Sequence, residues 1–105
     1  MHLTSYLQDG ILTIILTGEI DHHCAKEFIQ CITAKIEAYT PTTCVLDFKE
    51  VSFMDSSGIA VVINALRNMT KLDGTLEITE LNPQPLKVFR ASGIDKLVNI
   101  KEVVM

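Results

Sequence analysis

Two periods take turns along this chain. Apolar residues alternate with polar ones in Leu3–Leu7, Ile11–Leu16, Cys44–Phe48 and Thr75–Thr79, the two-residue period of a strand with one buried face. Between and after these runs, apolar residues recur at gaps of three and four. Ala25, Phe28, Ile29, Ile32, Ile36 and Tyr39 form one such set, and Val62, Ala65, Leu66 and Met69 a second. That spacing predicts amphipathic helices over 22–39 and from about Asp55–Ser57 to Leu72. A third, shorter helix is predicted over 84–91, and a last short strand over 98–103.

The punctuation agrees with the periods. Asp9-Gly10 between two β-rich runs predicts an opening hairpin. Gly18-Glu19-Ile20-Asp21 predicts the end of the second strand, with Asp21 as N-cap of the first helix. Pro41 predicts the end of that helix. Val51-Ser52-Phe53 continues the third strand toward a turn. Asp73-Gly74 predicts the close of the second helix, with glycine just past its end, and Ser92-Gly93 closes the third. Strand–helix–strand units imply parallel pairing. The expected fold is therefore α/β: a mixed sheet of four or five strands that opens with a β-hairpin and packs against about three helices. The pattern leaves open whether the helices cover one face or both.

Length and charge narrow the class. The 105 residues, with no linker, repeat or low-complexity stretch, parse as a single domain over 1–105. A net charge of −4 and no basic run speak against nucleic acid and against an anionic membrane surface. The longest apolar run, Ile59 to Ile63, is far short of the roughly 20 residues that span a bilayer, and the N-terminus lacks a signal-peptide layout, so a cytoplasmic location is expected. Cys24, Cys31 and Cys44 form no Cys-x-x-Cys pair and are expected to be free, buried thiols.

Candidate chemistry gathers in two loops. Asp55-Ser56-Ser57-Gly58 lies between a strand and a helix, where capping alone explains small and polar residues. The same place suits a phosphorylated serine, since a helix N-terminus offers N–H groups and a favourable dipole to a phosphate. Glu19, Asp21 and His22 lie after the second strand. Loops at the carboxyl ends of parallel strands gather at one end of a sheet, which would set Glu19, Asp21 and Asp55 around Ser56. Other chemistries lack their parts. His22, His23 and Cys24 are consecutive and point about 100° apart on a helix, so a metal site is not expected. There is no Gly-x-Ser-x-Gly elbow, no phosphate loop and no Gly-x-Gly-x-x-Gly, and no cofactor is implied.

Three segments together carry a family resemblance: Leu16-Thr17-Gly18-Glu19-Ile20-Asp21-His22-His23, Val51-Ser52-Phe53-Met54-Asp55-Ser56-Ser57-Gly58, and Ala91-Ser92-Gly93-Ile94. In order and spacing they resemble the STAS family, and within it the bacterial anti-anti-sigma factors, most closely the sporulation type. The resemblance covers nearly the whole chain. It implies a partner switch that is not an enzyme. Its unphosphorylated form binds an anti-sigma factor that is itself a serine kinase, freeing the sigma factor. Phosphorylation of Ser56 releases it, and a PP2C-type phosphatase resets it. Glu19, Asp21, His22, Asp55, Ser57, Gly58, Ile59 and Val62 are the implied partner-binding residues, with Asn64 nearby and Gly58 letting the partner approach closely. The alternative within the family is a scaffold or ligand-sensing subunit that is never phosphorylated. Relatives usually continue into a C-terminal helix after the last strand, whereas this sequence stops at Met105. Val103, Val104 and Met105 are therefore expected to be exposed or to support weak self-association.

Overall fold

The computed structural model describes residues 2–101. Two strands, β1 (His2–Gln8) and β2 (Ile11–Ile20), form the opening antiparallel hairpin. Its turn is the predicted one, with Asp9 at φ 53° and Gly10 at φ 79°, the left-handed pair that matches strand twist. Then follow α1 (Ala25–Tyr39), β3 (Thr43–Met54), α2 (Ser57–Lys71), β4 (Thr75–Thr79), α3 (Pro83–Ser92), a 3₁₀ turn (Ile94–Lys96) and β5 (Asn99–Lys101). Within the described residues β5 covers only part of the predicted 98–103 strand. Val98 lies in the turn before it, and Val103, Val104 and Met105 lie outside the described residues.

The sheet order is β1-β2-β3-β4-β5, with every pair after the hairpin parallel. This order answers the question about the two faces. Right-handed crossovers that all step the same way along a sheet put their helices on the same side. In register, Leu12, Cys44 and Leu76 form one row, and Ile14, Leu46 and Ile78 the next. All six side chains are buried. Phe28, Ile32 and Ile36 of α1, and Val61, Val62, Ala65 and Met69 of α2, complete the same core. Phe89 of α3 packs edge-on against Phe48 of β3, with ring centroids 5.6 Å apart and planes at 90°. The opposite face, with Thr13, Ile15, Val45, Asp47 and Glu77, is half exposed. There Lys101 Nζ and Glu77 Oε1 pair at 3.1 Å.

Four boundaries differ from the periodicity, each for a physical reason. Gly18 does not end β2. At φ 105° it sits in an irregular stretch where the register against β3 shifts, and the strand runs on to Ile20. The first helix begins at Ala25 rather than His22, because Asp21 first closes a turn: its Oδ1 accepts the N–H of His23 at 2.9 Å and of Cys24 at 3.3 Å. The third strand, read from Cys44 to Phe48 with a continuation toward a turn, runs unbroken for 12 residues, because β2 pairs with it as far as Met54. After α2 the left-handed residue is Asp73, at φ 56°, not Gly74. Gly74 is needed for space, since a Cβ there would lie 2.8 Å from the Thr42 carbonyl oxygen.

Two other expectations change. Tyr39, assigned to the buried face of α1, is half exposed. The cysteines are free, as expected, but Cys44 alone is buried; Cys31 is exposed and Cys24 intermediate. Burial pushes the Cys44 thiol up to about 12, so it is a packing residue and not a nucleophile.

Candidate functional site: the Asp21–Asp55–Ser56 corner

β2 and β3 end side by side, with Ile20 paired to Met54, so the two candidate loops leave the sheet at one corner. Asp55 joins them. Its backbone N–H donates to the Ile20 carbonyl at 3.1 Å. Its carboxylate accepts the Ser57 N–H at 2.8 Å through Oδ1 and the His22 N–H at 3.3 Å through Oδ2. The His22 Nδ1 lies 3.8 Å from the same Oδ2, and the His22 and His23 rings are 3.9 Å apart. Asp21 orders the neighbouring turn as described above, and the Cys24 thiol donates to the Glu19 carbonyl at 3.1 Å.

Both carboxyls are held below the ordinary carboxylate range. Partial desolvation is the largest influence on each and acts upward, but hydrogen bonds outweigh it. For Asp55 these come from Ser57 and His22, with the His22 charge adding to them. For Asp21 they come from Cys24 and His23, with the His23 charge adding. A carboxyl whose folded value is depressed adds stability above its unfolded value of about 3.9, and that stability is lost as pH falls through the lower, folded value. Replacing Asp55 with Asn is therefore expected to flatten the acid limb of stability. Urea midpoints measured from about pH 5 down to below about pH 3.9 should fall less steeply than in the wild type.

Ser56 is exposed and occupies the N-cap position of α2, yet its side chain makes no capping hydrogen bond. Ser57, one residue on, is half buried. The first-turn N–H groups, expected to be free for a phosphate, already have partners. Ser57 N–H is held by the Asp55 carboxylate, Gly58 N–H by the Asp55 carbonyl at 3.0 Å, and Ile59 N–H by the Ser56 carbonyl at 3.1 Å. A charge added at Ser56 would therefore stand beside the Asp55 carboxylate with the nearest amides taken.

Glu19 is exposed on the last turn of β2, paired to Phe53, and His22 is also exposed. Ile59 is half buried on α2. The structure moves two assigned contact residues elsewhere. Val62 has no exposed surface and belongs to the core, so it cannot touch a partner. Gly58 is buried too, and a Cβ on it would come within 2.5 Å of the Met54 methyl and 3.2 Å of Met54 Cβ. The missing side chain makes room for Met54 rather than for a partner. Gly58→Ala is expected to cost about 1 kcal/mol net, since overpacking against buried Met54 is offset in part by the better helix propensity of alanine, read as a slightly lower urea midpoint at an unchanged slope.

Asn82 and Gln84, which sequence reasoning placed only at a helix start, complete the corner. Asn82 Nδ2 donates to the carbonyls of Lys49 (3.0 Å) and Val51 (2.8 Å). Gln84 bonds Met54 twice, accepting its N–H and donating to its carbonyl, both at 2.9 Å. No periodic signal marks these residues. Among the described residues, no three His, Cys, Asp or Glu side chains form a metal-binding group, and no helix is long and apolar enough to cross a membrane.

The STAS domain family model matches residues 2–105. The chain belongs to the STAS domain family. Among relatives, it is 35% identical over 83 residues to the anti-sigma F factor antagonist of Lysinibacillus sphaericus, covering 79% of this chain and 71% of that one. It is 26% identical over 95 residues to the anti-sigma-B factor antagonist of Listeria monocytogenes, covering 88% of this chain and 80% of that one. Among solved structures, the anti-sigma factor antagonist SpoIIAA in its unphosphorylated form superimposes with a TM-score of 0.83 at 27% identity, over 98% of this chain and 89% of the other. The phosphorylated form of the same Bacillus cell fate determinant gives 0.74 at 27% identity, over 98% and 92%. This STAS domain therefore shares its mixed sheet and three helices with both forms.

Proposed function

We propose that this STAS domain is an anti-sigma factor antagonist that acts in the cytoplasm as a phosphorylation-controlled partner switch. Unphosphorylated, it binds an anti-sigma factor serine kinase, and the sigma factor is freed. Phosphorylated on Ser56, it is released, until a PP2C-type phosphatase restores the hydroxyl. It is a substrate and a binding partner rather than an enzyme.

The observation that carries this reading is the exposed Ser56 hydroxyl, unused in capping, set beside a carboxylate on the first turn of a 15-residue helix. A phosphate there adds a charge of about −1.5 to −2. The amides of Ser57, Gly58 and Ile59 that could neutralise it already have partners in Asp55 and the Ser56 carbonyl. Burying an unneutralised charge in an interface is costly, which favours release. The names of the relatives and the two forms of SpoIIAA support the same reading. The docking surface on this reading comprises Glu19, Asp21, His22, Asp55, Ser56, Ser57 and Ile59.

The test is intact mass after incubation with ATP and the anti-sigma F factor that the Lysinibacillus sphaericus relative antagonises, with the modified residue mapped by fragmentation. One phosphate, on Ser56, is the expected result. An unmodified chain, beside a kinase that modifies its own antagonist, would replace this reading with the non-phosphorylated scaffold.

A further inference from the structure

β3 is longer than the sheet that holds it. Its pairing with β4 runs from Thr43 to Asp47 and stops there, opposite Thr79. Its pairing with β2 continues to Met54. Over the segment that leads into Asp55 and Ser56, β3 thus has, among the described residues, a strand on one side only. On the other side stand the two amide side chains from the start of α3. Asn82 donates to the Lys49 and Val51 carbonyls, and Gln84 both accepts from and donates to the Met54 backbone. A carboxamide offers one C=O and one NH₂. Gln84 therefore supplies Met54 with the donor and acceptor that a neighbouring strand would have supplied. Met54 immediately precedes Asp55, whose own N–H is tied across to Ile20. The switch turn is pinned from both sides, by β2 and by Gln84.

We infer that Gln84, supported by Asn82, is a positioning residue for the reaction at Ser56. Its carboxamide holds the unpaired end of β3 in place and so sets where the Ser56 hydroxyl is presented to the kinase. This inference rests on the phosphorylation reading above. Gln84 acts on Ser56 through Met54, which it bonds twice. It lies on the face of the corner away from His22 and Asp21, so α3 becomes a second element, besides α2, through which the switch can be tuned.

The test compares wild type, Gln84→Ala and Gln84→Glu in three readouts: amide hydrogen exchange at Met54, amide chemical shifts of Ser56, Ser57 and Gly58, and steady-state phosphorylation by the Lysinibacillus sphaericus anti-sigma F factor with ATP. In Gln84→Ala the Met54 amide is expected to exchange about tenfold faster, since its partner is gone. The Ser56–Gly58 signals should shift, and kcat/KM should fall about tenfold or more, mostly in kcat, because misplacing a reacting group by about 1 Å can cost on the order of 100-fold. Gln84→Glu keeps the acceptor and loses the donor. Its second carboxylate oxygen faces the Met54 carbonyl with nothing to donate, so Met54 should exchange faster than in wild type but more slowly than in Gln84→Ala, with kcat lowered, and it serves if the alanine variant does not fold. A purely structural role would leave the kinetics of the folded fraction unchanged. Wild-type kinetics, or unmoved Ser56–Gly58 signals, in a folded Gln84→Ala chain would overturn the inference while leaving phosphorylation standing. A wild type that an active kinase never modifies would sink the phosphorylation reading itself, and the positioning role with it.

Discussion

Ser56→Ala is expected to hold the anti-sigma kinase through any amount of added ATP, while the wild-type chain lets go within the same incubation. The hydroxyl caps nothing, and its loss should leave the fold and the unmodified docking surface intact. What disappears is the acceptor of the phosphoryl group, so the modified, low-affinity state can never form. Ser56→Glu should do the opposite and bind weakly without ATP. Its carboxylate would stand beside Asp55, whose own carboxylate already occupies the Ser57 N–H, and burying that unneutralised charge in an interface costs several kcal/mol. Size-exclusion or calorimetric titration against the kinase, with and without ATP, separates the three chains. Equal affinity of Ser56→Glu and wild type would defeat a switch based on charge. Ser57→Ala is the control. The Ser57 backbone N–H, which the substitution keeps, still binds the Asp55 carboxylate, so this chain should still accept one phosphate.

The second large effect is expected in the core. Phe89 is fully buried and meets Phe48 edge to face at 5.6 Å. Truncating such a ring to alanine costs about 3–5 kcal/mol, combining lost transfer energy with the cavity left behind. A domain of this size has roughly 5–15 kcal/mol in all, so Phe89→Ala should lie near the edge of folding, with a sharply reduced urea midpoint. The same ring is one of two buried side chains of α3 and packs on Phe48 of β3. Loosening it also loosens Asn82 and Gln84 at the start of that helix. A folded Phe89→Ala chain should therefore show faster amide exchange at Met54, ahead of the rest of β3. A loss of under about 1 kcal/mol would mean that the surrounding side chains collapse into the space.

Local patterns carried most of the architecture. The Asp9-Gly10 turn, the two long amphipathic helices and the alternation within each strand follow from a few neighbouring residues, because turn chemistry and periodicity are local properties. Boundaries were less legible where strands are irregular. Gly18 reads as a break in isolation, but in the sheet it sits at a shift in register. The Val51–Phe53 run reads as a continuation toward a turn, and β2 pairs with it as far as Met54, so the strand runs unbroken. Val62 illustrates the limit of analogy: a contact residue by resemblance, it is buried by its helix face.

The sequence by itself determined the elements, the hairpin, the core stripes and the pair of loops that hold Asp21, Asp55 and Ser56. These depend on residues close to one another in the chain and on motifs that a family resemblance makes readable. Only the tertiary structure decided that all three helices lie on one face, since that follows from the sequential order of the strands. It alone decided that Asp55 also takes the His22 N–H across the corner, and that Asn82 and Gln84 stand on the side of β3 that carries no strand among the described residues. Each of these contacts joins groups about thirty residues apart, or depends on a strand outrunning its neighbour, and no local pattern records such a meeting.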